Sequence, residues 1–280
     1  MAILKTKTIK GGAVTEIEMD IFYLNQIPDA MERMGWEMAP KLMRHWFSIK
    51  PDFSFFDHKD LKDKYVRGDA TLIPPERYND SIVKMSWAKK YIQVQEGIEH
   101  LMHNWSSVNG IGLLKKRLMN NVTKLGYSDS VIELDTYAQV NRHPIGSMTD
   151  KINDYYGAIG KALLKMAVKG YVDKINNKDV FITESIGLYI KDTYDFVGDE
   201  EFLGVWGKNG VLSKTKMLLF KGYYDGMQWK ELAGEYSGYV PIQNLDFRAW
   251  QKRRKEGGDF IVFSDVLWML PLDKDRVIYL

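Results

Sequence analysis

Residues 180–196 read VFITESIGLYIKDTYDF, and the reading of this stretch decides the fold. Val180 to Thr183 and Ile186 to Tyr194 follow the period-two pattern of β-strands. The stretch ends with Asp192, Tyr194 and Asp195, two carboxylates and a phenol within four residues. On an extended strand Asp192 and Tyr194 face one side and Asp195 the other. If the strand stops at Tyr194, a turn can bring Asp195 back beside Asp192. Such a pair can hold a divalent cation, or can split acid and base roles. The plainer alternative is a strand end closed by an Asx turn.

Working outward, the C-terminal side continues as strand. Phe260-Ile-Val-Phe is a strong strand, Arg276 to Leu280 reads as a last one, and Val131-Ile-Glu-Leu-Asp135 is strand-like. Residues 198–245 are rich in Gly and aromatics with frequent turn signals. The N-terminal side is different. Pro28 opens a helix whose apolar stripe runs Met31, Met34, Met38, Leu42 and Trp46 and is closed by Lys50-Pro51. Residues 51–80 read as an irregular connection, and residues 82–92 begin as a strand. Ile98, Leu101, Met102 and Trp105 mark one helix. Leu113, Leu114, Leu118, Val122 and Leu125 mark another, closed by Gly126. The expectation is an α+β chain: a mainly helical domain over 1–126, then 127–280 as a twisted antiparallel sheet or partly open β-barrel.

Composition sets limits. The 280 residues hold 39 Lys+Arg and 37 Asp+Glu, a net charge of +2, too small for bulk nucleic-acid binding. Zero cysteine excludes disulfides, thiolate zinc sites, iron–sulfur clusters and a Cys nucleophile. The N-terminus, MAILKTKTIKGG, is basic but has no apolar core, so no signal peptide is expected. No run approaches the roughly 18–20 apolar residues of a spanning helix, which leaves peripheral membrane contact only. There is no GxxxxGK[ST], no GxGxxG opening a helix and no GxSxG.

Among the histidines, His100 and His103 lie i,i+3 on a helix beside Glu96 and Glu99, a spacing that could hold a metal. The alternative is a solvated helix face. His45 beside Trp46 reads as packing, while His58 and His143 have no partner nearby in sequence. Arg248, Lys252, Arg253, Arg254 and Lys255 could meet a phosphate or an anionic head group, or could be a solvated face. Arg248 stands apart because Phe247 and Trp250 flank it, which suggests a side chain held in place.

Residues 154–196 resemble the catalytic domain of colicin M-type bacteriocins. Asp154-Tyr155, Gly160, Leu164, Lys169-Gly170 and Asn177 precede the Asp-x-Tyr-Asp-Phe motif at close to that family's spacing. The resemblance implies a twisted antiparallel sheet or partly open β-barrel. It also implies magnesium-dependent cleavage of the lipid-linked peptidoglycan precursor, lipid II, between polyprenyl group and pyrophosphate in the periplasm. Asp192, Tyr194, Asp195 and Arg248 would be catalytic, with Asp192 and Asp195 holding Mg2+ or another divalent cation. Trp206, Asp246, Trp250 and Asp259 would contact substrate. The family follows its motif closely with His-Arg, whereas this chain has no histidine beyond His143. Residues 197–243 then read as an insertion. Arg248 becomes the equivalent arginine, and Phe247 stands where the histidine is expected. Asp246, Asp259 or Asp265 is a candidate substitute for it.

The whole chain also resembles an uncharacterised bacterial family encoded beside type VI secretion genes. This rests on Ile27-Pro-Asp-Ala-Met31 to Trp46-Phe47, Asp192 to Phe196, Leu203-Gly-Val-Trp206 and Asn244 to Asp265. It implies synthesis in the cytoplasm, export on a spike component without a signal peptide, and a cognate immunity protein. The resulting expectation is an antibacterial effector that hydrolyses lipid II. The alternatives are a non-enzymatic secretion adaptor or degenerate effector, and a membrane-disrupting toxin built on the helical half.

Overall fold

The apolar run from residue 162 to residue 194 folds as two long strands joined by Asn176-Asn177. Both asparagines lie at positive φ (51° and 62°), the geometry a two-residue hairpin turn requires and asparagine tolerates. In this computed structural model residues 3–10, 13–198 and 201–280 are described, with side chains from residue 20 onward. Met1, Ala2, Gly11, Gly12, Asp199 and Glu200 lie outside the described residues.

Strands occupy Ile3–Lys10 (β1), Ala13–Asp20 (β2), Tyr78–Val83 (β3), Lys124–Leu125 (β4), Gln139–Ile145 (β5), Ala162–Ile175 (β6), Lys178–Tyr194 (β7), Phe202–Gly207 (β8), Gly210–Val211 (β9), Val240–Gln243 (β10), Phe260–Ser264 (β11), Leu267–Met269 (β12) and Val277–Tyr279 (β13). Helices occupy Ile27–Arg33 (α1), Ala39–Ser48 (α2), Lys59–Arg67 (α3), Met85–Ala88 (α4), Ile92–Asn104 (α5), Val108–Arg117 (α6), Val131–Tyr137 (α7), Asp154–Ala158 (α8), Lys214–Asp225 (α9), Trp229–Glu235 (α10) and Asn244–Arg254 (α11).

Two interleaved units result. The first comprises residues 1–56, 152–154 and 196–258; the second comprises 57–151, 155–195 and 259–280. The boundary expected near 126 falls inside the second unit. The stretch read as an insertion, 197–243, belongs to the first unit together with the N-terminal residues.

The second unit is α+β around a curled mixed sheet, a partly open half-barrel with core order β3-β11-β7-β6-β4. Strand β7 is its spine. One edge pairs with β6 from Leu163↔Lys191 to Ile175↔Lys178. The other edge takes β11, β12 and β13 in turn, all antiparallel. The sheet is not wholly antiparallel as expected: β3 joins β11 in parallel, pairing Ile261 with Tyr78. Strand β7 is buried on both faces over Ile186–Lys191, which is why its sequence reads as a near-continuous apolar run.

The first unit holds the β1–β2 hairpin, the three-stranded sheet β10-β8-β9, and helices α1, α2, α9, α10 and α11. Val205, Leu212, Phe220, Leu232 and Tyr236 form one core cluster. A second cluster is aromatic. Phe196 stacks on Phe247 with centroids 3.6 Å apart, and Trp46 meets both edge-on at 5.0 and 5.3 Å. Trp46 also explains Gly257: a Cβ there would come within 2.5 Å of the indole, and φ is +93°. Asp154 caps α2, its carboxylate accepting the N–H groups of Glu37, Met38 and Ala39 at 2.8–3.0 Å.

Several local expectations change. The Met31–Trp46 stripe is two helices, broken where Gly35 takes φ +78°. Val131–Asp135 is helix, because the Ser130 hydroxyl accepts the Glu133 N–H and starts α7. The stripe ending at Leu125 stops at Arg117, since Asn120 and Asn121 both take positive φ; Leu125 lies in β4. The irregular connection contains α3, and 198–245 contains α9 and α10.

Candidate active site

Strand β7 does end at Tyr194, so Asp195 is free of the strand's alternation. Asp192 is half-buried on the face shared with Ile190 and Tyr194. Burial pushes its carboxyl well above the usual carboxylate range. A hydrogen bond from the Thr193 backbone opposes this, Asp195 adds to it, and Lys62 lowers it. The two carboxylates therefore sense one another, as the sequence allowed.

Lys62, on α3, places its ammonium 2.7 Å from Asp195 Oδ2. Nothing in the sequence marked this lysine, because α3 was read as irregular. Tyr155 completes the surroundings. It is fully buried, packs on Tyr91 at 5.2 Å and Trp87 at 6.2 Å, and its phenol is held above its ordinary pKa first by burial and then by the charges of Asp192 and Asp150. Tyr194 lies across from Phe260 in the ladder and stacks on it at 5.3 Å; burial raises its phenol too. Asp259 is fully buried just before β11.

Of the remaining expected residues, Arg248, Trp206, Trp250 and Asp246 lie in the first unit and Asp265 in the second. Arg248 donates from Nε to the Phe196 carbonyl at 3.0 Å and from a terminal nitrogen to Gln251 Oε1 at 2.6 Å. That is the held arginine its aromatic flanks suggested. Phe247, at the position where the resemblance expects histidine, is fully buried against Phe196 and Trp46. An imidazole there would give up that stacking and bury two ring nitrogens. Trp206 is buried, meets Trp36 at 6.0 Å, and spends its N–H on the Leu203 carbonyl. Trp250 is half-buried, with Phe47 at 5.3 Å and Arg254 over its ring. Asp246 accepts the Gln243 N–H at 2.8 Å and caps α11. Asp265, the third candidate substitute for the histidine, accepts the Met85 N–H at 2.6 Å and begins α4.

A divalent cation fits the donor type of Asp192 and Asp195, but Lys62 already neutralises one of the carboxylate oxygens it would need. Among the described residues no three His, Cys, Asp or Glu side chains gather into a metal site. Of the His100–His103 pair, His100 stacks on His143 at 4.0 Å, and His103 Nδ1 lies 2.9 Å from the Glu99 carbonyl oxygen.

The second unit also contains a charge cluster that sequence reasoning missed. Asp135 on α7 accepts the Lys191 ammonium at 2.9 Å, the Tyr189 hydroxyl at 2.6 Å, and the Lys165 ammonium. All four side chains are buried. The cluster sits on the face of β7 opposite Asp192. Burial, Lys191 and Arg142 together outweigh Asp135 and pull Lys165 down to about 8. The one available signal was a lysine inside each apolar run, ALLKMAV and LYIKDTY.

No curated protein and no solved structure matches the chain. Residues 22–280 match the Family of unknown function (DUF6402), and the chain belongs to that family.

Proposed function

We propose that the chain is an antibacterial effector whose second unit hydrolyses lipid II at the polyprenyl–pyrophosphate linkage. The observation that carries this reading is the Asp192–Asp195 pair at the end of β7, in which Asp192 favours its protonated form beside a second carboxylate. Breaking that linkage leaves negative charge on a pyrophosphate oxygen. A carboxylic acid that holds its proton more tightly than an ordinary aspartate can deliver it there as the bond breaks. Water supplies hydroxyl to one fragment and restores the proton to Asp192. The Lys62 ammonium attracts the anionic substrate and holds Asp195 in place. Alternatively, magnesium held by Asp192 and Asp195, in place of the proton and of Lys62, would supply the charge neutralisation at the pyrophosphate, and Asp192 would then not serve as the acid.

The resemblance of residues 154–265 to colicin M-type domains supports the substrate. The resemblance of the whole chain to proteins encoded beside type VI secretion genes supports cytoplasmic synthesis, delivery on a spike component, action in the target periplasm and a cognate immunity protein. The test incubates purified protein with lipid II and magnesium and identifies the products by mass. Free polyprenol is expected from the wild type and not from Asp192→Ala; equal products from both would reject the proposal.

A second reading is a binding module that kept the fold without the chemistry. Two observations favour it: Lys62 already neutralises Asp195, and the position expected for histidine is a buried phenylalanine. On this reading no divalent metal elicits polyprenol, while binding to a secretion component persists.

A further inference from the structure

The histidine that the fold sets beside His100 is not the one its helical spacing suggested. His100 on α5 and His143 on β5 both lie in the second unit, and their rings stack with centroids 4.0 Å apart and planes at 28°. Gly97, one turn before His100, permits the approach. A Cβ there would come within 2.5 Å of Ile145 Cγ2 and 3.8 Å of His143 Cδ2. His100 is exposed and His143 half-buried. Among the described residues neither ring takes part in a hydrogen bond. The bond at His100 belongs to its backbone carbonyl, which accepts from Asn104 Nδ2 at 2.9 Å. His143 is held below its ordinary pKa, first by burial and then by the charge of His100. Its imidazole is therefore neutral at neutral pH and keeps one nitrogen lone pair.

The charges around the pair suit a cation. Glu96 is exposed four positions before His100, on the same side of α5. Arg142, next to His143 on β5, pairs with Lys165 and points to the other face of the sheet. Lys274 spends its ammonium on the His103 carbonyl at 2.6 Å.

We propose that His100 and His143 together bind a divalent transition-metal ion of the copper–zinc class, with water in the remaining positions. Neutral imidazole is a ligand that such ions favour, whereas magnesium and calcium take oxygen. Metal–nitrogen bonds of about 2.0–2.1 Å place two ligand nitrogens about 3–3.4 Å apart. The two rings already lie near that separation, and the exposed His100 can turn out of the stack to meet it. Two protein ligands leave open positions, so the bound ion exchanges readily. The site uses none of Asp192, Asp195 or Lys62 and is separate from the hydrolase reading.

The test titrates the metal-free full chain with Cu2+, Zn2+ and Mg2+ near neutral pH, followed by calorimetry and by melting temperature. Copper is expected to bind more tightly than zinc, and both should raise the melting temperature. Any magnesium binding should be indifferent to both histidines. His100→Ala and His143→Ala should each weaken copper binding by at least about tenfold, the low end of what losing even an outer partner of a metal ligand costs. His103→Ala should leave it unchanged. Both metals should be released at about pH 5, where the imidazoles take up protons. His100 is exposed, so His100→Ala keeps the fold even if His143→Ala does not; His143→Gln fills the space beside Gly97 and serves as the second variant there. No binding of copper or zinc would overturn the proposal. So would undiminished binding by His100→Ala, or a loss in His103→Ala without one in His143→Ala, which would assign the ion to the i,i+3 pair on the helix.

Discussion

Lys191 Nζ lies 2.9 Å from Asp135 Oδ2 inside the second unit, and Lys165 shares the same carboxylate. Two buried ammoniums therefore rest on one counter-charge. Asp135→Asn removes that charge and leaves both lysines buried without it. The expected loss of stability is about 3–5 kcal/mol, read from the urea midpoint. Lys165→Met leaves one lysine for one carboxylate and should cost far less, or even stabilise. If the two substitutions cost the same, the cluster is not a charge-balance device.

The same cluster sets a pH dependence. Lys165 titrates at about 8 in the fold and near its ordinary 10.5 when unfolded. Between these values the unfolded chain binds the extra proton, so this group's contribution to stability rises with pH. The slope approaches about 1.4 kcal/mol per pH unit for one full proton. Above pH ~10 the buried Tyr155 and Tyr194, whose phenols are raised, act in the opposite sense. The measurement is therefore the difference between wild type and Lys165→Met in unfolding free energy from about pH 8 to 9.5. Parallel curves would show that Lys165 carries no linked proton.

Asp192 couples activity to stability. Its raised pKa means the fold favours the protonated acid. Stability is lost as pH climbs from the unfolded value of 3.8 through the folded one. Asp192→Asn removes that penalty while abolishing proton delivery. It should raise stability at neutral pH by on the order of 1–3 kcal/mol and eliminate polyprenol release. A destabilised Asp192→Asn protein would contradict the burial argument, whatever its activity.

Much of the second unit could be read from β7 alone. Its extended, apolar character and its end at Tyr194 follow from local residue types. The strand order of the sheet did not, because β3 reaches β11 from far along the chain and no local pattern encodes that parallel pair. Val131–Asp135 was misread because five residues cannot separate a buried strand from a short helix; the Ser130–Glu133 cap decided it. Lys62 stayed invisible because its role depends on where α3 packs. Phe247 shows the converse: the sequence has phenylalanine where the resemblance expects histidine, and only three-dimensional packing reveals its stack on Phe196 and Trp46.

Lys62 decides whether a metal can enter. Its ammonium and a divalent cation would compete for Asp195. Lys62→Ala should therefore tighten magnesium binding by about tenfold, roughly the 1.4 kcal/mol of one partly buried ion pair. Calorimetric titration of wild type and variant measures it. Weaker binding in the variant would place the metal elsewhere or nowhere.

Arg248 is first a structural arginine. Its guanidinium donates to the Phe196 carbonyl and to Gln251 Oε1, while Gln251 Nε2 donates to the Phe53 and Gly257 carbonyls at 2.8 and 2.7 Å. Arg248→Ala removes the donors of two acceptors, one of them on the buried Gln251. The expected cost is about 1–3 kcal/mol. Arg248→Lys should recover little, since one ammonium cannot reproduce two bonds set by the guanidinium plane. Because both residues serve one network, Arg248→Ala and Gln251→Ala should be non-additive by about 0.5–3 kcal/mol. Thermal unfolding of the two single variants and the double variant measures that coupling. An additive cycle with an unchanged melting temperature for Arg248→Ala would show that the arginine is not held there for stability, and any loss of lipid II hydrolysis in that variant would then report on chemistry.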